Sequence, residues 1–223
     1  MRRFSELLMA GVFLLACCAP LLAQPLQALP GKDAPAITEV VKVLMQTDLG
    51  DLEIEVYPQA APNAAQRFLE LVEMGFFDNT PIFRVVKKPS PFVAQFGINS
   101  DFAEWENKSF DDDPTLFQLT RGTLAFAKAG ADTNSTQIFI NYIENNRLAT
   151  PDLNFTVFAQ VVKGMEIADQ FVMVGDERMG LDQDTLWKNH RIVDSMDPKP
   201  TMITVARVVD SAGDEADEAP DAP

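Results

Sequence analysis

Leu52, Ile54 and Val56 alternate with Glu53 and Glu55, the period-two pattern of a strand that buries one face and wets the other. The apolar stretch before it ends in Asp48-Leu-Gly-Asp51, a turn composition, so residues 43–57 are predicted to form an antiparallel hairpin. The period then changes. Over 61–74, Ala65, Phe68, Leu69 and Val72 recur on one helical face, with Pro62 in the first turn and Gly75 just beyond the end, which predicts an amphipathic helix. Further runs rich in Val, Ile, Phe and Thr fall at 81–86, 92–97, 123–127, 137–142, 155–162 and 201–209, and with the hairpin they make eight predicted strands. A second helix is predicted over 165–173 and a short one over 182–189. Strand and helix do not alternate regularly, which argues against a doubly wound sheet and predicts a mainly β sandwich or closed barrel.

Both ends break this pattern. Arg2 and Arg3 precede a short apolar run over 7–16, and Leu21-Leu-Ala23 offers a cleavage site before Gln24, so residues 1–23 read as a signal peptide. Cys17 and Cys18 both lie inside it, and cleavage would leave no thiol, which suits an oxidising compartment, periplasmic or secreted. A rival reading takes Leu14-Leu-Ala-Cys17 as a lipoprotein signal with Cys17 as the anchor. Residues 24–40 contain several prolines and no sustained period, the composition of a tether, and 211–223 read as a solvated acidic tail. A domain over 41–210 is left between them.

Composition narrows the function. The 223 residues carry 18 basic and 33 acidic side chains, a net charge of −15, which disfavours nucleic acid and anionic membrane as partners. Hydrophobic content of 47% is ordinary for a globular chain with a full core. The single histidine, His190, stands among charged residues and is expected at the surface. With no cluster of His or Cys ligands, no glycine-rich phosphate loop and no nucleophile elbow, the chain points to no metal and no cofactor. What stands out is polar residues in apolar runs. Arg84 is the only charged residue over 81–86, and Gln95 and Gln137 sit in similar surroundings. A buried strand has no structural need of them, so they are candidates for the working groups of a pocket.

Seven segments then carry a family resemblance. They are Gly50-Asp-Leu-Glu-Ile54, Ala61-Pro-Asn-Ala64, Gly75-Phe-Phe-Asp-Asn-Thr-Pro-Ile-Phe-Arg84, Phe92-Val-Ala-Gln95, Leu124-Ala-Phe-Ala127, Thr133-Asn-Ser-Thr-Gln-Ile-Phe-Ile140 and Phe155-Thr-Val-Phe-Ala-Gln-Val-Val-Lys-Gly-Met165. In that order, over about 42–209, the chain resembles the cyclophilins, peptidyl-prolyl cis-trans isomerases, and most of all their exported bacterial branch. The resemblance implies a closed eight-stranded antiparallel barrel capped by two helices, with the site on its outer face. It implies Arg84 as the catalytic residue, Phe92, Val93 and Phe139 as walls of a proline pocket, and Gln95 as the group that binds the peptide and positions the arginine. Ala127, Lys128 and Ala129 would pair with the substrate backbone, Gln137 would lie at the neighbouring pocket, and Phe155 would close the far wall, with Leu148 or Leu153 beside it. The implied partners are Pro-containing polypeptides, bound by a monomer.

The departures are specific. The histidine that commonly precedes the arginine is Phe83, the second glycine after the glutamine is absent from Gln95-Phe96-Gly97, an asparagine of the substrate strand is Lys128, and the tryptophan-leucine pair has no clear counterpart. Weak binding of cyclosporin-type macrocycles is therefore expected. Phe83 is expected in the core by alternation from Arg84, Phe96 and Phe126 in the core or at the pocket rim, and the Lys128 side chain in solvent. Two functions stay open on these grounds: an isomerase that assists folding of exported proteins, and a module that grips Pro-containing segments without useful catalysis.

Overall fold

The hairpin forms as β1 (Val41–Thr47) and β2 (Gly50–Val56), with Met45 opposite Leu52 and Val43 opposite Ile54. This is a computed structural model, and it describes residues 24–209; the segments read as export signal, with Cys17 and Cys18, and as acidic tail lie outside the described residues. The helix follows as α1 (Pro62–Glu73), burying Ala64, Ala65, Phe68, Leu71 and Val72, and Gly75 at φ 71° turns the chain out of it. Ala61 provides no side-chain cap. Asp113 does so from a distant loop, its carboxylate accepting from the N–H groups of Asn63 at 3.2 Å and Ala64 at 2.9 Å.

The remaining strands are β3 (Thr80–Pro81), β4 (Arg84–Val85), β5 (Val93–Phe96), β6 (Thr123–Phe126), β7 (Ile138–Asn141), β8 (Val157–Lys163) and β9 (Met202–Val209). They join one antiparallel nine-stranded sheet in the order β3-β9-β1-β2-β8-β6-β7-β5-β4. The expected closed eight-stranded barrel is thereby corrected to a curled, open sheet of nine strands. The extra strand arises because the run over 81–86 splits. Pro81 has no N–H to extend a ladder, and at the next two residues the partners lie outside the strands, Ile82 N–H donating to Thr201 O and Phe83 O accepting from Leu181 N–H, each at 2.9 Å. The chain changes partner there, from β9 before Ile82 to β5 after Phe83, so one short segment supplies both edges of the sheet.

The concave side holds the main core. Phe68 of α1 lies 5.2 Å from Phe158 and 5.6 Å from Phe77, and Phe77 meets Phe96 at 5.6 Å, so the helix is bolted to the sheet through aromatic rings. Each such ring contributes about 1.5–3 kcal/mol of burial. Phe83, Phe96 and Phe126 all lie in this core. The predicted second helix is shorter than expected: α2 (Met165–Ala168) makes one turn, after which Phe171 drops into the core and the chain leaves the helical path. The short helix forms as α3 (Gln183–Lys188), capped by Asp182. His190 follows in a 3-10 turn and is 1% exposed, which corrects its assignment to the surface. Its Nδ1 accepts from the Ser100 N–H at 3.1 Å and stands 2.8 Å from Ser100 Oγ, a contact between segments far apart in sequence.

Residues 24–40 have almost no regular structure, yet they lie along the body of the domain. Leu29 N–H donates to Leu116 O, Gln118 N–H to Gln27 O, and Leu26 and Ile37 pack on an apolar cluster of the convex face.

Candidate active site

Three antiparallel pairings place a row of side chains on the convex face. Arg84 of β4 stands opposite Gln95 of β5, Gln95 opposite Phe139 of β7, and Phe139 opposite Ala125 of β6. Directly paired residues share a face, and their chain neighbours Val85, Ala94, Phe96, Ile138 and Ile140 point into the core. Arginine and glutamine are tolerated in such apolar strands because on this face their polar groups find partners, the buried Gln95 amide bonding both Arg84 and Gln137.

The row borders a cavity of about 170 Å³. Phe92, Val93, Phe139, Leu148, Phe155 and Ala127 supply its apolar lining, and Arg84, Gln95 and Lys128 its polar edge. Phe139 and Phe155 meet edge-on, with centroids 5.7 Å apart. Leu148, from a 3-10 turn over Asn146–Ala149, occupies the wall, whereas Leu153 is 44% exposed, so the geometry selects the first of the two candidate leucines. From the same turn Arg147 lays its guanidinium 4.9 Å from the Phe92 ring, a cation–π contact that braces the wall from outside.

Arg84 is held by two acceptors. Its Nη1 donates to Gln95 Oε1 at 2.9 Å and its Nε to the backbone carbonyl of Arg178. Burial lowers its pKa from the ordinary value, but a guanidinium stays protonated far above neutrality. Gln137 does not line the cavity. It stands behind Gln95, whose Nε2 donates to its Oε1 at 2.8 Å, and its own Nε2 donates to Gln183 Oε1 at 2.9 Å.

Lys128 is placed differently from expectation. Its side chain is 3% exposed, pairs with Asp112 and lies with Nζ 5.6 Å from the centre of the Phe155 ring. The solvent-directed reading is corrected, because Asp112, from a loop no local pattern connects to Lys128, offers an inward partner. Asp112 also accepts from Asn134 Nδ2 at 2.6 Å. Burial alone would raise the Asp112 carboxyl, but the Lys128 ammonium and these hydrogen bonds outweigh it and hold the pKa below the ordinary value. Ala129 is exposed beyond the cavity, and its N–H is taken by Thr133 Oγ1 at 3.1 Å. Ala127 N–H goes to Gln137 O at 2.8 Å, whereas neither the N–H nor the C=O of Lys128 has a hydrogen-bond partner among the described residues.

Sequence reasoning did not single out Arg178, Gly180 or Gln183. All three lie in 174–200, a segment without clear periodicity whose contribution is largely backbone. Gly180, at φ 73°, sits against β4 so closely that a Cβ would stand 2.3 Å from Phe83 O and 2.7 Å from the Arg84 Cβ. The one available signal was Met179-Gly180 ahead of Asp182, a turn followed by a capping residue.

Comparison with known proteins agrees with this geometry. The profile of the family described as "Cyclophilin type peptidyl-prolyl cis-trans isomerase/CLD" matches residues 42–195. The chain belongs to this family, and it is an isomerase of that type. A peptidyl-prolyl cis-trans isomerase of Acinetobacter baylyi is 33% identical over 146 residues, covering 63% of this chain and 77% of that protein. The peptidyl-prolyl cis-trans isomerase-like 3 of Dictyostelium discoideum is 30% identical over 151 residues, covering 64% of this chain and 90% of that protein, so relatives are found in eukaryotes as well as bacteria. Among solved structures, a Cryptosporidium parvum cyclophilin superposes with a TM-score of 0.57 at 22% identity, covering 77% of this chain and 99% of its own. The same protein studied in the presence of the dipeptide Ala-Pro gives a TM-score of 0.56 at 22% identity, covering 76% and 99%.

Proposed function

We propose that the protein catalyses rotation about Xaa-Pro bonds of exported polypeptides at the cavity beside Arg84, as a monomer acting in the periplasm or outside the cell. The observation that carries this reading is a guanidinium fixed by two acceptors on one rim of a small apolar cup.

The chemistry follows from the amide itself. Resonance across the C–N bond sets a rotation barrier of about 18–20 kcal/mol. At the twisted transition state that resonance is lost and the nitrogen regains a lone pair able to accept a hydrogen bond. No nucleophile, metal or proton transfer is required. Phe92, Val93, Phe139, Leu148 and Phe155 hold the proline ring, while the Arg84 fork donates to the substrate amide and Gln95 keeps the fork in place. Because no proton moves, Phe83 in place of a histidine beside Arg84 is compatible with catalysis. The substrate backbone pairs with the free N–H and C=O of Lys128 in the manner of an added strand. The structural relative studied in the presence of the dipeptide Ala-Pro is in keeping with a proline-containing ligand.

The test is the cis-to-trans relaxation of an Xaa-Pro peptide with the purified protein and with Arg84→Ala. Wild type is expected to accelerate relaxation, and Arg84→Ala to lose about 10²- to 10³-fold of kcat/KM, the loss typical of removing one aimed donor. A folded protein that leaves the rate unchanged turns the assignment to peptide binding without catalysis. Export is checked by mass spectrometry of the mature chain, expected to begin at Gln24; a diacylated Cys17 or an intact Met1 contradicts soluble export.

A further inference from the structure

The hydrogen-bonded chain that starts at Arg84 has a direction. A guanidinium carries donors only, so Gln95 must turn its carbonyl oxygen toward Arg84 Nη1, at 2.9 Å, and its NH₂ group away. That NH₂ meets Gln137 Oε1 at 2.8 Å and so fixes the orientation of the second amide. Gln137 in turn directs its NH₂ to Gln183 Oε1 at 2.9 Å. Each amide accepts on the side of the cation and donates on the other. Gln183 ends the relay and is the first residue of α3, held by the Asp182 cap and by the bond of Leu181 N–H to Phe83 O at 2.9 Å.

We propose that Gln183 is a positioning residue for the isomerase. By offering Gln137 an acceptor it fixes Gln137, and through it Gln95, in the orientation that holds the Arg84 fork at the cavity. This inference rests on the isomerase reading of that cavity. It makes a demand on chemistry rather than size: position 183 must accept. Glutamate at 183 meets the demand. Lysine can only donate, so Gln137 turns its oxygen toward it and presents NH₂ to the NH₂ of Gln95. That pair cannot bond, and either it opens or Gln95 inverts and loses Arg84. Methionine, close in length and uncharged, offers at best a weak acceptor.

The experiment compares Gln183→Glu, Gln183→Met and Gln183→Lys with wild type in the full chain, by peptide relaxation and by NMR exchange of the Arg84 Nε–H, with thermal unfolding as the folding control. Expected are wild-type kcat and slow Nε–H exchange in Gln183→Glu. Gln183→Lys and Gln183→Met should both lose about tenfold or more in kcat with KM little changed, the signature of a misplaced catalytic group, and show faster exchange. Equal rates and equal exchange in the Glu and Lys variants overturn the proposal, as does a methionine variant that matches wild type, since charge rather than acceptance would then explain the series. If wild type is inactive, the isomerase reading falls, and the exchange measurement alone decides the relay by the same ordering.

Discussion

The two cations at the cavity, Arg84 and Lys128, serve in different ways. Arg84 is bound by acceptors that leave part of its fork toward the cavity, whereas Lys128 is committed to Asp112 and capped by Phe155. Lys128→Met therefore leaves a mostly buried carboxylate without its cation, and the expected cost is about 3 kcal/mol of stability, read as a lower denaturant midpoint. Adding Asp112→Leu should recover part of it, because the uncompensated carboxylate is gone while the buried Asn134 amide loses its acceptor. The same pair predicts an acid limb. The folded Asp112 carboxyl lies below its unfolded value of about 3.9, so the stability it contributes is present above that pH and is lost as pH falls through the folded pKa. That limb should flatten in the double variant. Of these two residues only Arg84 was legible in the sequence, since a charge inside an apolar run is visible locally. The burial of Lys128 depends on Asp112, and no periodicity links the two.

Among the elements, the turn over Asp176–Gly180 serves the site rather than the core, its first four residues being exposed. Asp176 and Gly180 exchange backbone hydrogen bonds of 2.9 Å, Asp176 Oδ1 accepts from the N–H groups of Arg178 and Met179 at 2.9 Å each, and the turn presents the Arg178 carbonyl to Arg84. Gly180 permits this approach through both its positive φ and the space its missing Cβ leaves against β4. Gly180→Ala is expected to push the turn off β4 and cost about 1–3 kcal/mol in strain. It should reduce kcat/KM far more than a volume change on the solvent side of the turn, such as Met179→Ala. A Gly180→Ala protein with wild-type activity would show that the Arg178 carbonyl is dispensable. The hairpin and α1 were readable because period and turn residues are local signals. Of the second helix only one turn survived, since the drop of Phe171 into the core outweighs the helical pattern of 165–173.

For the molecule as a whole, the docking of α3 and its 3-10 turn on the turn at Ser100–Trp105 closes one end of the fold around His190. Burial, then the nearby Arg191 guanidinium, lower the His190 pKa, against the opposing charges of Asp101 and Asp194. The folded pKa therefore lies below the unfolded value of about 6.5, and the stability from a neutral imidazole is complete above that pH and is lost as pH falls through the folded pKa. Chemical denaturation at pH 8 and pH 5.5 should show lower stability in acid, with a smaller difference in His190→Gln, whose amide oxygen can still accept from Ser100; an equal difference in both proteins would place the acid sensitivity elsewhere. By itself the sequence determined the strand segments, the first helix, the hairpin turn and the polar residues that interrupt apolar runs, because alternation, helical spacing and turn chemistry act between near neighbours. Only the tertiary structure decided that one run splits to edge an open nine-stranded sheet, that Lys128 and His190 are buried, and that Arg178 reaches Arg84 and Gln183 reaches Gln137 from across the chain. Burial and cross-strand acceptors are set by which distant segments meet, and the free energy of that meeting appears in no local pattern.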